Sequence, residues 1–227
     1  MESYLCIPDL QIPFEHHRAL EFCKYLKKHY KIRDENVICL GDETDQYFGS
    51  LFKKDPDGLY SARTEIEQTI ETLKLWYEAF PVMKLVLSNH GSRWMRKASE
   101  AEIPSQLLRR YEEWIQAPQS WKWRKHWVIE ASKDRFMVEH GDDWGGAAHI
   151  QAALHNGMST IMGHHHSKAV IEHFTTNNKR MWASFSGCLI DFEQYAFNYG
   201  RKHPKKPVIG ATIIMQGGQM PVFIPLE

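Results

Sequence analysis

Few of the features that classify a chain at a glance are present in these 227 residues. Cysteine is scarce: Cys6, Cys23, Cys39 and Cys188 are all four, and none lies in a C-x-x-C pair. Cys6 and Cys39 fall inside apolar runs, where a small buried side chain is wanted, so the pattern suits a reducing cytosol. No run reaches the ~18 consecutive apolar residues that a membrane helix needs. The start, Met1-Glu2-Ser3-Tyr4, opens with an acid and lacks an apolar signal segment. Neither sign of charge is in excess, with Lys plus Arg and Asp plus Glu at 28 each. General attraction to nucleic acid or to an anionic membrane is therefore absent, and any anion site must be local. Internal repeats, low-complexity tracts and flexible linkers are missing too. With 43% hydrophobic residues the chain can build an ordinary core, and one soluble domain over residues 1–227 is expected.

Histidine is plentiful, at thirteen residues, and the stretch Gly163-His164-His165-His166 lies far from either terminus, where a purification tag would sit. It follows the apolar run Ser159–Met162, and four other short apolar runs have the same sequel. Tyr4–Ile7 leads to Asp9, Val37–Leu40 to Gly41-Asp42, Lys84–Leu87 to Asn89-His90, and Arg135–Val138 to His140-Gly141-Asp142. Short apolar runs of this kind read as buried strands. Between them lie helical patterns at residues 61–80, 16–29, 105–116 and 145–155, the first with Ile66, Ile70, Leu73, Tyr77 and Phe80 on one stripe. Alternating strand and helix predicts a mixed sheet with helices outside and ligands beyond the carboxyl ends of the strands. After His166 the pattern turns to strands at 168–174, 180–186, 208–215 and 220–224, with turns at Asn177-Asn178 and Gly217-Gly218, which predicts a second sheet.

The five polar clusters together could hold a pair of cations. A dinuclear site needs one shared ligand, ideally a carboxylate, with imidazole and oxygen donors completing each sphere. Asp42 is the candidate bridge. Successive side chains of an extended segment alternate, so Asp9 and Gln11 can face one way, as can His164 and His166. His165 would then meet the substrate side, solvent or a supporting partner. Asp9 and Asp42 also fit plain turn or helix-capping roles, the usual fate of Asp after a strand.

In order, Asp9-Leu10-Gln11, Gly41-Asp42-x-x-Asp45, Asn89-His90, His140-Gly141-Asp142 and Gly163-His164-His165-His166 resemble the D-x-H, G-D-x-x-D, G-N-H-[DE], G-H and G-H-x-H series of the calcineurin-like metallophosphoesterases. The segment Asp9–Phe14, with the acidic helix before Asn89-His90, is most similar to phosphoesterases encoded by bacteriophages and prophages. The resemblance implies a four-layer α/β/β/α sandwich of two mixed sheets flanked by helices. It implies two divalent ions: Asp9, Gln11, Asp42 and His166 around one, and Asp42, Asn89, His140 and His164 around the other. His90 would sit near the leaving oxygen as a catalytic group alongside Asp42, and a metal-bridging hydroxide would attack phosphorus. The substrate would be a phosphomonoester or phosphodiester, nucleotides and nucleic acid included, and the setting the cytoplasm of a bacterium or a phage-infected cell.

Two departures from that series matter. Gln11 stands where histidine is usual, and its neutral amide oxygen makes the first site harder, favouring manganese or magnesium over zinc, or leaves it empty at rest; manganese is the expected ion, with magnesium, zinc or iron as alternatives. Ser88 and Gly91 flank Asn89-His90 in place of a glycine and an acid, which alters the turn and removes an orienting partner for His90. A weakened relative that binds nucleic acid or a protein partner is the competing reading, with Gln11 as its sign.

Arg93 could clamp a phosphate and His165 contact the substrate. Asp45 could anchor a supporting donor or start a helix. Asp142 and Asp143 read as a helix cap, His149 and His155 as helix-surface residues, and His16-His17 as the opening of a polar helix face. The run Trp121–Trp127 is a strand with tryptophans inward and cations outward, or else a nucleobase-stacking strip. Residues 201–206, Arg-Lys-His-Pro-Lys-Lys, read as a basic loop.

Overall fold

The computed structural model describes residues 2–50, 61–145, 147–177, 179–194 and 204–227. Two sheets face each other. The first has six strands in the order β11-β10-β1-β2-β3-β4, where β1 is Tyr4–Ile7, β2 Val37–Cys39, β3 Met83–Val86, β4 Trp121–Arg124, β10 Gly210–Met215 and β11 Met220–Pro225. The second has five in the order β5-β6-β7-β9-β8, where β5 is His126–Glu130, β6 Arg135–Glu139, β7 Ser159–Met162, β8 Ala169–Thr175 and β9 Arg180–Ser186. Strands β1 to β4 run parallel, as do β6, β7 and β9, so their carboxyl ends gather along one edge of the sandwich.

Period-two alternation along the strands builds the layers. From β1, Leu5 and Ile7 join one core cluster with Ala19, Cys23 and Leu26 of α1 (Ala19–His29) and Leu73 and Trp76 of α2 (Ala62–Ala79). The intervening Tyr4 and Cys6 point the other way, into a cluster with Ile38, Val86, Phe136, Val138, Ile161 and Trp182 between the sheets. On the far side, Ala148 and Ala152 of α5 (Ala148–Asn156) lie against Met162 and Phe185. Helix, sheet, sheet and helix follow in that order, the architecture expected.

Several local expectations change. The second sheet does not wait for the chain beyond His166: it begins at His126, and β10 and β11 return to the first sheet, where β10 pairs antiparallel with β1. The Trp121–Trp127 run is two strands in two sheets, parted at Lys125, with Trp121 and Trp127 buried and Lys122 and Arg124 exposed. Its alternation is that of core strands, not of a single stacking platform. Residues 105–116 hold only a short 3-10 turn and α4 (Tyr111–Trp114), since Pro104 and the extended backbone at Leu108 and Arg110 break the helical pattern. The turn at Asn178 and the basic residues 201–203 lie outside the described residues.

Candidate metal centre

Asp9, Asp42, Asn89, His140 and His164 lie just beyond the ends of β1, β2, β3, β6 and β7, respectively, and meet at the sandwich edge. Two groups form, sharing one residue. Asp42, His140 and His164 offer ligand atoms all within 4.8 Å of one another, and so do Asp9, Asp42 and His166.

In the first group, His140 Nε2 is 3.3 Å from Asp42 Oδ2, 3.0 Å from Asn89 Oδ1 and 3.3 Å from His164 Nδ1. The ring is oriented from behind by Leu40 O, 2.9 Å from Nδ1. Two imidazole nitrogens and two oxygens thus converge on one point. In the second group, His166 Nε2 lies 2.9 Å from Asp9 Oδ2 and 3.2 Å from the Gln11 side-chain nitrogen. The amide oxygen of Gln11 is fully buried and has no hydrogen-bond partner among the described residues. An orphaned buried acceptor of this kind costs on the order of 1–3 kcal/mol unless something electropositive meets it. The donor set fits divalent cations in both groups.

Electrostatics agree. Burial opposes ionisation of Asp42, yet the His140 and His90 rings beside it hold its carboxyl well below the usual carboxylate range. Burial would depress His140, but Asp42 overrides it and pushes the ring up to about 10. His166 is raised against its own burial by the bond to Asp9, whereas burial and the neighbouring His140 lower His164.

The backbone is bent to make this possible. Gln11, Asp42 and His164 all have φ between 51° and 64°, in the left-handed region that non-glycine residues rarely enter. The ligand segments are therefore turns, and the extended alternation expected for Asp9/Gln11 and His164/His166 does not apply at these positions. The glycines before Asp42 and His164 also have a cause. A Cβ at Gly163 would come within 2.4 Å of Asp9 Oδ1, and one at Gly41 within 2.6 Å of His140 Nδ1. Asp9 can then accept from the backbone N–H of His164 with both oxygens, at 3.1 and 2.9 Å.

His90 forms a third arm. Its backbone N–H donates to Asp42 Oδ1 at 3.2 Å, its Nδ1 is 3.1 Å from Asp45 Oδ1, and its Nε2 is 3.8 Å from Asp42 Oδ2. Arg93, expected to reach a phosphate from the surface, is instead buried. Its guanidinium donates to Asp45 O and Oδ2 at 2.8 and 3.2 Å and lies 2.6 Å from His90 Nε2. Of the two options for Asp45, the anchoring one is what the geometry displays.

No protein-family model and no curated protein matches this chain. Solved structures do. An archaeal phosphodiesterase matches at 14% identity over 99% of both chains, with a TM-score of 0.51. Vacuolar protein sorting 29 from Cryptosporidium parvum matches at 15% identity over 98% of this chain and 89% of that one, with a TM-score of 0.52. The fold is the calcineurin-like phosphoesterase fold. At such identities the likeness fixes architecture, and chemistry has to be argued from the side chains.

Three supporting residues of this edge were not singled out as such from the sequence. Ser88 accepts the backbone N–H of Asp42 at 2.9 Å, so the residue replacing glycine pins the bridge position. Glu65 of α2 is buried and accepts the N–H groups of Tyr47 and Phe48 at 2.6 and 2.8 Å, holding the loop that carries Asp45. His149 is buried rather than on the helix surface, because α5 lays it on Phe185 and its Nε2 meets Glu172 at 2.9 Å. A buried acid at a helix stripe, as at Glu65, was the available signal. His165 packs its ring on Phe185 at 4.5 Å between centroids, and burial, with His164 and Lys168 nearby, pushes it down to about 4. Asp142 and Asp143 do not cap α5, whose N-cap is Ala147; Asp143 instead pairs with Lys125 at 3.0 Å. Among the described residues no helix is long and apolar enough to cross a membrane.

Proposed function

We propose that this chain is a metal-dependent phosphoester hydrolase working through two divalent ions that share Asp42. The observation that carries the reading is the pair of ligand groups meeting at one carboxylate, completed by the partnerless oxygen of Gln11. Asp9, Gln11, Asp42 and His166 would hold one ion, and Asp42, Asn89, His140 and His164 the other. Two such ions supply an acidified water and neutralise charge on the attacking and leaving oxygens. Gln11 brings an amide oxygen to the first site, which favours manganese or magnesium over zinc.

The chain's own groups do the rest. Asp45 and Arg93 hold His90 at the lip of the centre, with its Nε2 aimed past Asp42. Arg93, buried against Asp45, lies 2.6 Å from that nitrogen and would set the orientation of His90 from behind. Leu40 O and Ser88 orient His140 and Asp42 from behind, so that neither ligand must reorganise when substrate binds.

Turnover of p-nitrophenyl phosphate and bis(p-nitrophenyl) phosphate, measured after chelation and re-addition of manganese, magnesium or zinc, tests the reading. Wild type should regain activity with metal, best with manganese. Asp42→Ala, shown by circular dichroism to be folded, should lose about a thousandfold or more, equivalent to several kcal/mol of transition-state stabilisation, together with bound metal. An inert wild type with every metal, or an Asp42→Ala protein as active as wild type, overturns it and favours a binding module.

A further inference from the structure

Beside the candidate centre lies a cleft of about 250 Å³. Its lining includes Ser88 and His140, which belong to the centre itself, so the cleft adjoins it. The rest of its lining includes Glu139 at the end of β6, Trp144 beyond it, Lys125 between β4 and β5, and His126 at the start of β5. The size suits one compact organic group, being below the ~300 Å³ at which drug-sized pockets begin.

Charge narrows the choice. Three carboxylates, Glu139, Asp142 and Asp143, line the cleft with two basic residues, and the nearer ion pair, Lys125 to Asp143 at 3.0 Å, cancels one acid. Glu139 receives its hydrogen bonds from neutral donors, Trp144 Nε1 at 3.2 Å and Asn156 Nδ2 at 3.3 Å. A half-buried carboxylate held by neutral donors favours a cation nearby. The first of these bonds, with an edge contact to His155 at 5.7 Å between ring centroids, fixes the indole of Trp144 as an aromatic wall. An aromatic wall among carboxylates is the chemistry that takes ammonium groups. It repels a second phosphate or a nucleic-acid strand.

Resting on the phosphoesterase reading above, we propose that the natural substrate is a small phosphoester whose organic group is cationic, of the amino-alcohol type. The phosphate engages the strand-end centre and the ammonium group lies against Trp144, with Glu139 and Asp142 supplying the counter-charge.

The test uses p-nitrophenylphosphorylcholine and its carbon isostere, 3,3-dimethylbutyl p-nitrophenyl phosphate. The two share a leaving group and a shape, and differ in the positive charge. Wild type should favour the choline ester by about tenfold in kcat/KM, the upper range of one cation–aromatic contact. Trp144→Leu should bring the ratio towards one. So should the double change Glu139→Gln with Asp142→Asn, which neutralises the two carboxylates that Lys125 does not pair and carries the test if the tryptophan variant does not fold. A wild-type ratio of one, or a ratio untouched by both sets of variants, overturns the proposal. If no ester turns over with any metal, the phosphoesterase reading has failed, and calorimetric titration with choline chloride decides this one separately. Millimolar binding lost in the double variant supports a cation cleft; no binding to wild type rejects it.

Discussion

Around the shared Asp42, the two ligand groups are built from different material. One takes His140 and His164 from the second sheet and Asn89 from the first, each braced by backbone or neighbouring rings. The other relies on Asp9 and His166 and adds Gln11, whose oxygen has no partner among the described residues. The first group is rich in nitrogen and rigid; the second is rich in oxygen and depends on one neutral amide. If both hold ions, they should differ in affinity and in metal preference, the second being the weaker and harder site. The asymmetry is local, since both rest on the same parallel strand ends.

The sharpest way to break that comparison is to delete one donor from each side. His140→Ala should cut kcat/KM by about a thousandfold and remove one equivalent of bound metal, because it opens a sphere and leaves Asp42 without its charge partner. Gln11→Ala should cost on the order of ten- to a hundredfold, with the loss partly recovered at higher manganese. Metal content by plasma emission, read beside turnover, checks both. Equal losses would mean that the two groups are not unequal after all. Gln11→His sharpens the point from the other side: an imidazole there should raise activity with zinc relative to manganese, and an unchanged metal order would refute the role given to the amide.

The sequence made the strand ends legible because a short apolar run followed by Asp, Asn or His is a local signal, and all five runs became strands at one edge. What it hid was set by distant parts of the chain. That β10 returns to pair with β1 depends on register with residues two hundred positions away. The run from Trp121 to Trp127 misses one beat of its alternation at Lys125, where a tryptophan would be due, and that single break is the only local mark of the change of sheet. Asp45 leaves an anchor and a helix start equally open and Arg93 suggests a phosphate clamp, and only the fold sets both against His90. Gln11 and His164 read as extended because left-handed backbone at a non-glycine residue has no composition signature.

A smaller effect is expected at Ser88, which touches neither ligand lone pair but anchors the backbone of Asp42 through a bond of 2.9 Å. Ser88→Ala should lower kcat/KM by up to about tenfold and affect both halves alike, the signature of a shared bridge that has loosened. A change confined to one equivalent of metal would show that the serine serves one group only.

Furthest from the ions, Glu65 fixes the loop that presents Asp45, and its effect should appear as stability rather than chemistry. Burial, helped by Asp45, raises its carboxyl to about 7 from an ordinary value of 4.5, against the pull of the Phe48 and Tyr47 amides. A carboxyl whose folded value is raised lends the folded state an advantage that is complete below pH 4.5 and is lost as pH climbs through 7. The wild-type protein should therefore lose up to about 3 kcal/mol from this group between pH 4.5 and pH 8, at 1.36 kcal/mol per pH unit of separation. Glu65→Gln, which cannot ionise, should lack that share of the slope in urea denaturation, at the cost of one of the two amide bonds at every pH. Parallel stability curves for the two proteins would show that Glu65 ionises normally, and that the loop behind His90 is held by hydrogen bonding without any charge penalty.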